Sequence, residues 1–477
     1  MPNFKGLMKD TAIYGISSIV GRFLNYLLVP LLTYSMPKET GDYGASVQMY
    51  AFTAFCLTIL TFGMETSLFR FANQPGRKPD TVFSTGLAMI GSLTTLYLII
   101  IWSCLGPLSR VLGYADHPEY ISIMATVTAL DALQALPFCY LRFQKRAIKF
   151  ASLKMIFVVF NILFNVLFYG LLHHTEVIYV FVVNLCCTAA ITFFFVPDLR
   201  RIEWHFDRGL LREMLSYSWP ILLLGVAGVL NQVADKMIFP LVWPGDDGLA
   251  QVGEYGACFR IAMVMAMILQ AFRFAYEPIV FAKNSSSDSD EDKRRYYADA
   301  MKWFVIFSLA AALAVVALLD WIQYFIDADY RGGLRVVPIV MAAEIMMGIY
   351  FNLSFWYKLI DKTIYGAWFS ITGCVVLLAV NFWGIPQYSY MACAWAGFAG
   401  YGTCMLLSYI FGQRINPIPY DMKTILGYFL LAGVLYWLMT LVPWEGWMAV
   451  CSKMGLLVVY LLAVLFSLRQ LWLKKLK

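Results

Sequence analysis

Long apolar segments recur along the whole chain and are separated by short polar ones. Each apolar segment has about 20 residues or more, which is enough for an α-helix to cross the hydrocarbon core of a bilayer. The pattern predicts about 14 transmembrane helices, at residues 10–35, 43–68, 81–102, 119–141, 151–171, 177–197, 214–242, 252–281, 301–320, 334–357, 363–384, 389–412, 423–442 and 447–470.

Composition supports the same class. Of the 477 residues, 61% are hydrophobic and only 14% are charged, whereas about one-quarter of a soluble domain is charged. We therefore predict an all-α polytopic membrane protein. The net charge of +6 does not indicate nucleic-acid binding, because most of the cations lie between the apolar segments.

The positions of Lys and Arg predict the orientation. With the N-terminus in the cytoplasm, 27 of the 36 basic residues fall on the inner side, Lys154 and Lys358 among them, and only five fall on the outer side. This asymmetry follows the positive-inside rule and predicts that both termini are cytoplasmic. The other four basic residues lie inside predicted helices.

A short repeat predicts the internal organisation. Gly41–Ala45 reads GDYGA and Gly253–Ala257 reads GEYGA, and Glu65 and Glu277 follow at the same offset of 212 residues. An internal repeat of this kind predicts two equivalent halves. Six helices separate the copies, so we predict two parallel six-helix lobes followed by two C-terminal helices. The predicted parts are an N-lobe at 1–197, a cytoplasmic linker at 198–213, a C-lobe at 214–412 and a C-terminal segment at 413–477.

Each copy of the repeat stands at the predicted outer end of a helix. The glycines suit a tight turn and the tyrosines, Tyr43 and Tyr255, suit an interfacial ring. On the inner side, the acidic run at 284–292 is expected to be a flexible connector. The linker carries pairs of arginines around Trp204 and Phe206, which suits a segment lying among lipid headgroups.

Charged residues inside the predicted helices are the candidate functional groups. A charge at membrane depth is costly unless it is paired or hydrated, so each is a functional hypothesis. We expect cations to bind an anionic substrate in an internal cavity, since the guanidinium of arginine donates two hydrogen bonds to phosphate. The alternative is that these cations form structural ion pairs. The candidate substrate-binding residues are Arg22, Asn25, Lys236, Arg260 and Arg273, and the candidate ion-coupling residues are Asp131, Asp235 and Glu344.

Two spacings bear on that alternative. Arg273 and Glu277 are four residues apart, so they share a helix face and are able to pair. Asp235 and Lys236 are adjacent, so we expect them to point in different directions and at least one to need another partner.

The sequence carries no recognisable catalytic or metal-binding motif. A nucleotide-binding G-x-x-x-x-G-K-[ST] loop is absent, and the ten cysteines and four histidines show no metal-ligand spacing. We expect no metal and no cofactor, and we do not expect an enzyme.

Several segments at the start of the chain resemble a known family. They are Thr11–Ser18, Gly21–Asn25, Pro30–Thr33, Asp42–Gly44 and Phe62–Thr66. Together they look like the beginning of polysaccharide-biosynthesis flippases, the Wzx-type O-antigen and capsule transporters of the MOP superfamily. Members of this superfamily include MATE exporters and lipid II flippases.

The resemblance implies a function and partners. It implies a flippase that moves an undecaprenyl-pyrophosphate-linked oligosaccharide from the inner to the outer leaflet of the bacterial cytoplasmic membrane, by alternating access through a cationic central cavity. Its partners would be this substrate, membrane lipids, other polysaccharide-assembly proteins, and a proton or sodium ion. A MATE-like cation-coupled exporter of drugs or metabolites is the first alternative. A membrane polysaccharide polymerase or ligase is the second, and the short outer loops count against it.

Overall fold

A computed structural model gives the fold of residues 20, 24, 26–284, 289–360, 362–443 and 446–475. This part of the chain contains helices and no strands. Twelve of its helices are long and apolar enough to cross a membrane. The protein is therefore an all-helical, multi-pass membrane protein, as its hydropathy pattern predicts.

Contacts divide the chain into two compact units. Unit 1 comprises Met1–Gly256 with Ile385–Ser389, and unit 2 comprises Ala257–Gly384 with Tyr390–Lys477. The helices that begin in unit 1 are α1 (Leu28–Ser35), α2 (Asp42–Thr61), α3 (Met64–Ala72), α4 (Pro79–Ser103), α5 (Leu105–Val111), α6 (Pro118–Phe143), α7 (Ala147–Asn165), α8 (Ile178–Leu199), α9 (Arg208–Val242) and α10 (Gly248–Asn284). Only the first two turns of α10 belong to unit 1.

The remaining helices belong to unit 2. They are α11 (Asp290–Ala317), α12 (Leu319–Ile322), α13 (Val336–Leu353), α14 (Phe355–Lys358), α15 (Ile364–Tyr388), α16 (Tyr390–Ile415), α17 (Met422–Thr440) and α18 (Gly446–Lys475). Helix α15 contributes its last residues to unit 1.

The count of 14 membrane-crossing helices is not reproduced within the described residues. Most of the first predicted helix, 10–35, lies outside them. The predicted helix at 389–412 is present as α16, but its glycine, tyrosine and serine residues make it less apolar than the twelve. The predicted lobe boundaries remain a prediction.

A break divides the second predicted helix, which was expected to run unbroken over 43–68. Phe62 and Gly63 adopt left-handed backbone angles, with φ of 50° and 69°, between α2 and α3. A left-handed conformation is unfavourable for a side chain such as that of phenylalanine. The break turns the chain just before Glu65, so it affects the direction of this side chain.

The acidic run expected to be a connector is in part helical. Helix α11 starts at Asp290, and the side chain of Ser289 accepts a hydrogen bond from the backbone N–H of Asp292 at 3.2 Å. Three acidic residues occupy the first turn, where negative charge interacts favourably with the helix dipole. Arg295 pairs with Glu291 at 2.5 Å one turn apart. These local interactions extend the helix by about three turns beyond its apolar segment.

The connection between α8 and α9 is shorter than the predicted linker and is bonded to α4. Ser84 donates a hydrogen bond to the carbonyl of His205 at 2.6 Å, and Thr85 accepts one from the N–H of Asp207 at 3.2 Å. Asp207 in turn caps α9, accepting from the backbone N–H groups of Gly209 and Leu210. Trp204 and Phe206 are exposed, which is compatible with the interfacial position expected for them.

Candidate substrate-binding site

Two cations in unit 2 converge on one aromatic ring. The guanidinium carbon of Arg273, on α10, lies 4.2 Å from the centroid of Phe351, on α13. The ammonium of Lys358, at the end of α14, lies 4.8 Å from the same centroid. The Arg273 side chain is exposed, whereas Phe351 is buried beneath the two cations. We call Arg273, Lys358, Phe351 and Glu277 the unit 2 cationic site.

Glu277 pairs with Lys358 and not with Arg273. The ammonium of Lys358 lies 3.6 Å from a carboxylate oxygen of Glu277, so the i,i+4 pairing with Arg273 considered from the sequence is not what the structure shows. This distance is longer than an ordinary charge-assisted hydrogen bond. Arg273 instead makes a cation–π contact with Phe351.

Aromatic residues form the wall behind this site. Phe355 packs edge-on against Phe351, with ring centroids 5.4 Å apart, and Tyr276 packs edge-on against Phe355 at 5.5 Å. Lys358 also lies 5.1 Å from the ring of Phe355. Edge-to-face contacts of this kind hold rings in defined orientations. The two cations therefore lie on a wall of packed rings, and Arg273 is exposed.

The other unit 2 candidates lie apart along their helices. Arg260 is exposed on α10, thirteen residues before Arg273, which at 1.5 Å per residue is about 20 Å along the axis. Among the described residues Arg260 makes no ion pair. Glu344 is half-buried within α13.

Asp235 and Lys236 pair with each other, contrary to the expectation that they point in different directions. The ammonium of Lys236 donates to both carboxylate oxygens of Asp235 at 3.0 Å, and Tyr255 donates to Asp235 at 2.6 Å. All three side chains are buried. The four-carbon side chain of lysine is long enough to fold back along the helix, which adjacency along the sequence did not reveal. A substrate role for Lys236 would require this pair to open.

The two copies of the repeat pack against each other within unit 1. A Cβ added at Gly44 would meet the backbone of Leu249 and would lie 3.1 Å from the nitrogen of Gly253, and one added at Gly256 would lie 2.7 Å from a methyl of Val47. Lys38 and Glu254 form an ion pair of 2.5 Å beside this crossing. We call this ion pair and the glycine contact the outer crossing.

The outer crossing corrects two expectations. Tyr43 and Tyr255 are buried, so they are packing residues and not interfacial rings. Gly41 does form a tight turn, with φ of 73°, but Gly253 lies inside α10. Asp247, just before α10, accepts hydrogen bonds from the side chains of Gln251 and Trp243, which hold the pKa of its carboxyl below its usual value.

Asp131, a candidate for ion coupling, lines a cavity of about 370 Å³ within unit 1. Arg22 and Asn25 lie outside the described residues. No group of three or more His, Cys, Asp or Glu residues among those described is arranged to hold a metal ion.

The profile of the family described as "Polysaccharide biosynthesis protein" matches residues 39–326, which is more than half of the chain. The chain belongs to this polysaccharide biosynthesis protein family. A sequence comparison with curated proteins gives no match.

Several solved structures with the same fold are named in their titles as flippases or transporters. A structure titled "Lipid II flippase MurJ, inward closed conformation" aligns with a TM-score of 0.76 at 15% identity, over 97% of this chain and 99% of that one. A multidrug resistance MATE family transporter of the MOP superfamily aligns with a TM-score of 0.66 at 13% identity, over 83% and 94%. At these identities the likeness shows the fold alone. This polysaccharide biosynthesis protein therefore has a MurJ- and MATE-like fold.

A third similar structure has a title that concerns the polarity of its binding pocket. It is titled "Reverse polarity of binding pocket suggests different function of a MOP superfamily transporter from Pyrococcus furiosus", and it aligns with a TM-score of 0.60 at 13% identity, over 85% and 95%. Its title indicates that the polarity of a binding pocket differs between members of this superfamily.

Sequence reasoning on this polysaccharide biosynthesis protein missed the importance of two lysines. Lys358 and Lys154 were counted only as inner-side charges, yet Lys358 completes the unit 2 cationic site and Lys154 lines the cavity of Asp131. The repeat contains a signal that could have found them. Glu65 and Glu277 follow the two copies at the same offset, and each lies beside basic residues.

Proposed function

We propose that this protein is a flippase for a lipid-linked oligosaccharide. The substrate would be an undecaprenyl-pyrophosphate-linked repeat unit of O-antigen, capsule or lipopolysaccharide. The protein would carry it from the inner to the outer leaflet of the bacterial cytoplasmic membrane, with its own N- and C-termini inside. Family membership supports a role in polysaccharide biosynthesis, and the lipid II flippase of the same fold supports flipping as the activity.

The unit 2 cationic site is the observation that carries the proposal. Arg273 is exposed and Lys358 is held loosely by Glu277, so both can donate to the oxygens of a pyrophosphate. Their position near the inner ends of α10 and α14, under the charge-derived topology, is where a substrate entering from the inner leaflet would meet them. The rings beneath them shield one side of each cation from water, which strengthens its electrostatic attraction to an anion.

We propose that the other predicted residues also bind the substrate. Arg260 lies on the same helix, closer to its predicted outer end. It would be a second binding site for the anionic group as the substrate moves outward. Arg22 and Asn25 are retained as predicted. Lys236 is the weakest member, because its ammonium is bonded to Asp235.

Reconstituted protein provides the test. Purified protein in liposomes is supplied with a fluorescent undecaprenyl-pyrophosphate oligosaccharide, and inward or outward movement is followed by quenching of the exposed label. Arg273→Ala and Lys358→Ala are each expected to slow flipping about tenfold or more, since a hydrogen bond to a charged group is worth about 1.5–3 kcal/mol. Arg273→Lys keeps the charge but loses the two-pronged geometry, so it should be intermediate.

Arg414→Ala is the matched control, because Arg414 is an exposed cation near the inner end of α16 that has no place in the site. The proposal fails if Arg273→Ala and Lys358→Ala flip as fast as this control at equal protein levels.

A cation exporter is the second candidate. The observation in its favour is the pair of carboxylates, Glu65 and Asp131, that line the unit 1 cavity. Efflux of an organic cation from the same liposomes, with no flipping of the anionic lipid, would support the exporter instead.

A further inference from the structure

The connection between α8 and α9 presents both cations and aromatic rings on the surface of unit 1. Trp204 is 57% exposed and Phe206 is 54% exposed. Two arginines precede these rings in the chain and two follow them, and all four are exposed. We call these side chains the arginine–aromatic surface, and its members are Arg200, Arg201, Trp204, Phe206, Arg208 and Arg212.

Neighbouring acids do not neutralise the four arginines. In the part of the chain that the structure describes, none of the four forms an ion pair, and the acids of this region are bonded to other groups. Glu203 pairs with Lys78 at 3.3 Å. Glu213 pairs with Arg77 at 2.7 Å, and Asp207 caps α9. The surface therefore carries positive charge that an external anion can meet.

Hydrogen bonds to α4 fix the backbone on both sides of the two rings. The backbone groups of His205 and Asp207 bond to hydroxyl side chains of α4. The backbone N–H of Glu203 donates to the carboxylate of Asp80, also on α4, at 3.4 Å. Every second residue of the connection is thus held against the bundle, and the two exposed rings lie at the positions between.

The indole of Trp204 is held in place as well. Its Nε1–H donates to the carbonyl of Leu199, the last residue of α8, at 3.0 Å. Carbonyl groups at the end of a helix lack an intrahelical partner, so this bond also completes the helix end. Because the ring is exposed and already oriented, little side-chain entropy is lost when it meets a ligand.

The arginine–aromatic surface lies close to the membrane. Both α8 and α9 are long and apolar enough to cross a bilayer, and only residues 200–207 separate them. A connection this short, bonded to a third membrane-crossing helix, cannot extend far from the lipid headgroups. Tryptophan is enriched at this depth, where its ring meets the apolar boundary and its N–H meets polar groups.

We propose that the arginine–aromatic surface binds an anionic phospholipid. The guanidinium groups donate to the phosphate oxygens of the headgroup, because the planar fork of arginine matches the geometry of phosphate. The two rings pack beside the first carbons of the acyl chains. Under the charge-derived topology the lipid belongs to the inner leaflet. This site lies in unit 1, does not include the unit 2 cationic site, and does not depend on what the protein transports.

The charge of the surface selects among headgroups. A zwitterionic phospholipid brings an ammonium group that the unpaired arginines repel, whereas an anionic phospholipid brings no compensating cation. The exposed rings favour a lipid over an acidic protein as the occupant, because they lie at the membrane boundary, where a lipid covers them.

Native mass spectrometry of the delipidated protein in detergent measures this binding, because each bound lipid is counted separately. Phosphatidylglycerol and phosphatidylcholine with the same acyl chains are the two probes. The first phosphatidylglycerol is expected to bind about fivefold or more tightly than the first phosphatidylcholine, since one basic residue near an anionic lipid surface contributes a factor of about five.

Two paired substitutions remove the charge. Arg208→Gln with Arg212→Gln, and Arg200→Gln with Arg201→Gln, are each expected to weaken phosphatidylglycerol binding about fivefold or more and to leave phosphatidylcholine binding unchanged. Arg208→Lys with Arg212→Lys keeps the charge but loses the planar fork, so it should be intermediate.

Arg414→Gln with Lys423→Gln is the matched control, because it removes two exposed cations near the ends of α16 and α17. It should bind phosphatidylglycerol as the wild type does. The proposal is overturned if the wild type binds both lipids equally, or if the control pair weakens phosphatidylglycerol binding as much as the α9 pair. Equal binding of the two lipids together with tight binding of polyglutamate would assign the surface to an acidic protein.

Fluorescence quenching gives a second measurement that leaves the arginines intact. Phosphatidylglycerol with brominated acyl chains quenches a tryptophan that it contacts. At one lipid per protein, Trp204→Phe is expected to lose most of the quenching seen in the wild type. Trp437→Phe is the control, since Trp437 is an exposed tryptophan on α17 in unit 2. Undiminished quenching in Trp204→Phe would contradict the proposed site.

Discussion

Gly44 and Gly256 allow two helices to touch at backbone distance in the outer crossing. Gly44 lies within the helical span of α2, so its importance is not a matter of backbone conformation. What a side chain would meet there is the carbonyl group and backbone of Leu249, which cannot move aside as a flexible side chain can. The packing therefore leaves no room at residue 44 for even one methyl group.

We expect Gly44→Ala to destabilise the protein by about 1–3 kcal/mol, the usual cost of overpacking. Gly427→Ala is the matched control, because Gly427 lies in α17 with nothing within 4 Å of an added Cβ and the change should be neutral or stabilising. Thermal unfolding of both variants in detergent measures the difference. Equal midpoints for the two would mean that the crossing is looser than the structure indicates.

Helix α10 is joined to its unit 1 neighbours by buried charge. Lys38 lies on the short 3-10 turn before α2, and its partner Glu254 is only 5% exposed at the start of α10. Tyr255, the next residue, bonds to Asp235 on α9. Consecutive residues of α10 thus bond to two different elements, so a small rotation of this helix would disturb both contacts.

The Lys38–Glu254 pair predicts an asymmetric double-mutant cycle. Lys38→Met takes the nearest cation from a nearly buried carboxylate and is expected to cost about 3 kcal/mol or more, whereas Lys38→Met combined with Glu254→Gln removes both charges and should cost less. Unfolding midpoints of the two single variants, the double variant and the wild type give the coupling energy. Additive effects would show that the ion pair does not stabilise the crossing.

At the scale of the whole molecule, the distribution of basic residues predicts how the protein is oriented across the membrane. The connection between α8 and α9 carries the arginine pairs, while the turn at Asp246 between α9 and α10 carries no basic residue. Under the positive-inside rule these two connections lie on opposite sides of the membrane.

Reporter fusions test this orientation. Alkaline phosphatase, which is active only outside the cytoplasm, should be active when inserted at Asp246 and inactive when inserted at Asp207. A fluorescent protein that folds only in the cytoplasm should give the opposite result at the same two sites. Reversed signals at both sites would invert the topology and would place the unit 2 cationic site at the outer surface.

The fold class was predictable because hydropathy and charge sidedness are properties of consecutive residues. The pairing of charges was not, since it depends on how far a side chain reaches and on what lies beside it. Lys236 folds back onto its own neighbour, and Glu277 bonds to Lys358 on another helix although Arg273 is one turn away. The ends of the helices were also not predictable from hydropathy, because the capping residues Ser289 and Asp207 extend α11 and α9 beyond their apolar segments.

The contact between the two copies of the repeat affects how their sequences can evolve. If the halves arose by gene duplication, each copy has since evolved with the other as part of its surroundings, because Gly44 faces Gly253 and Gly256 faces Val47. Such positions do not drift independently. Among homologues, a larger residue at 44 or 256 should be accompanied by a smaller residue or a shifted helix opposite, so position 44 should covary with position 253, and position 256 with position 47.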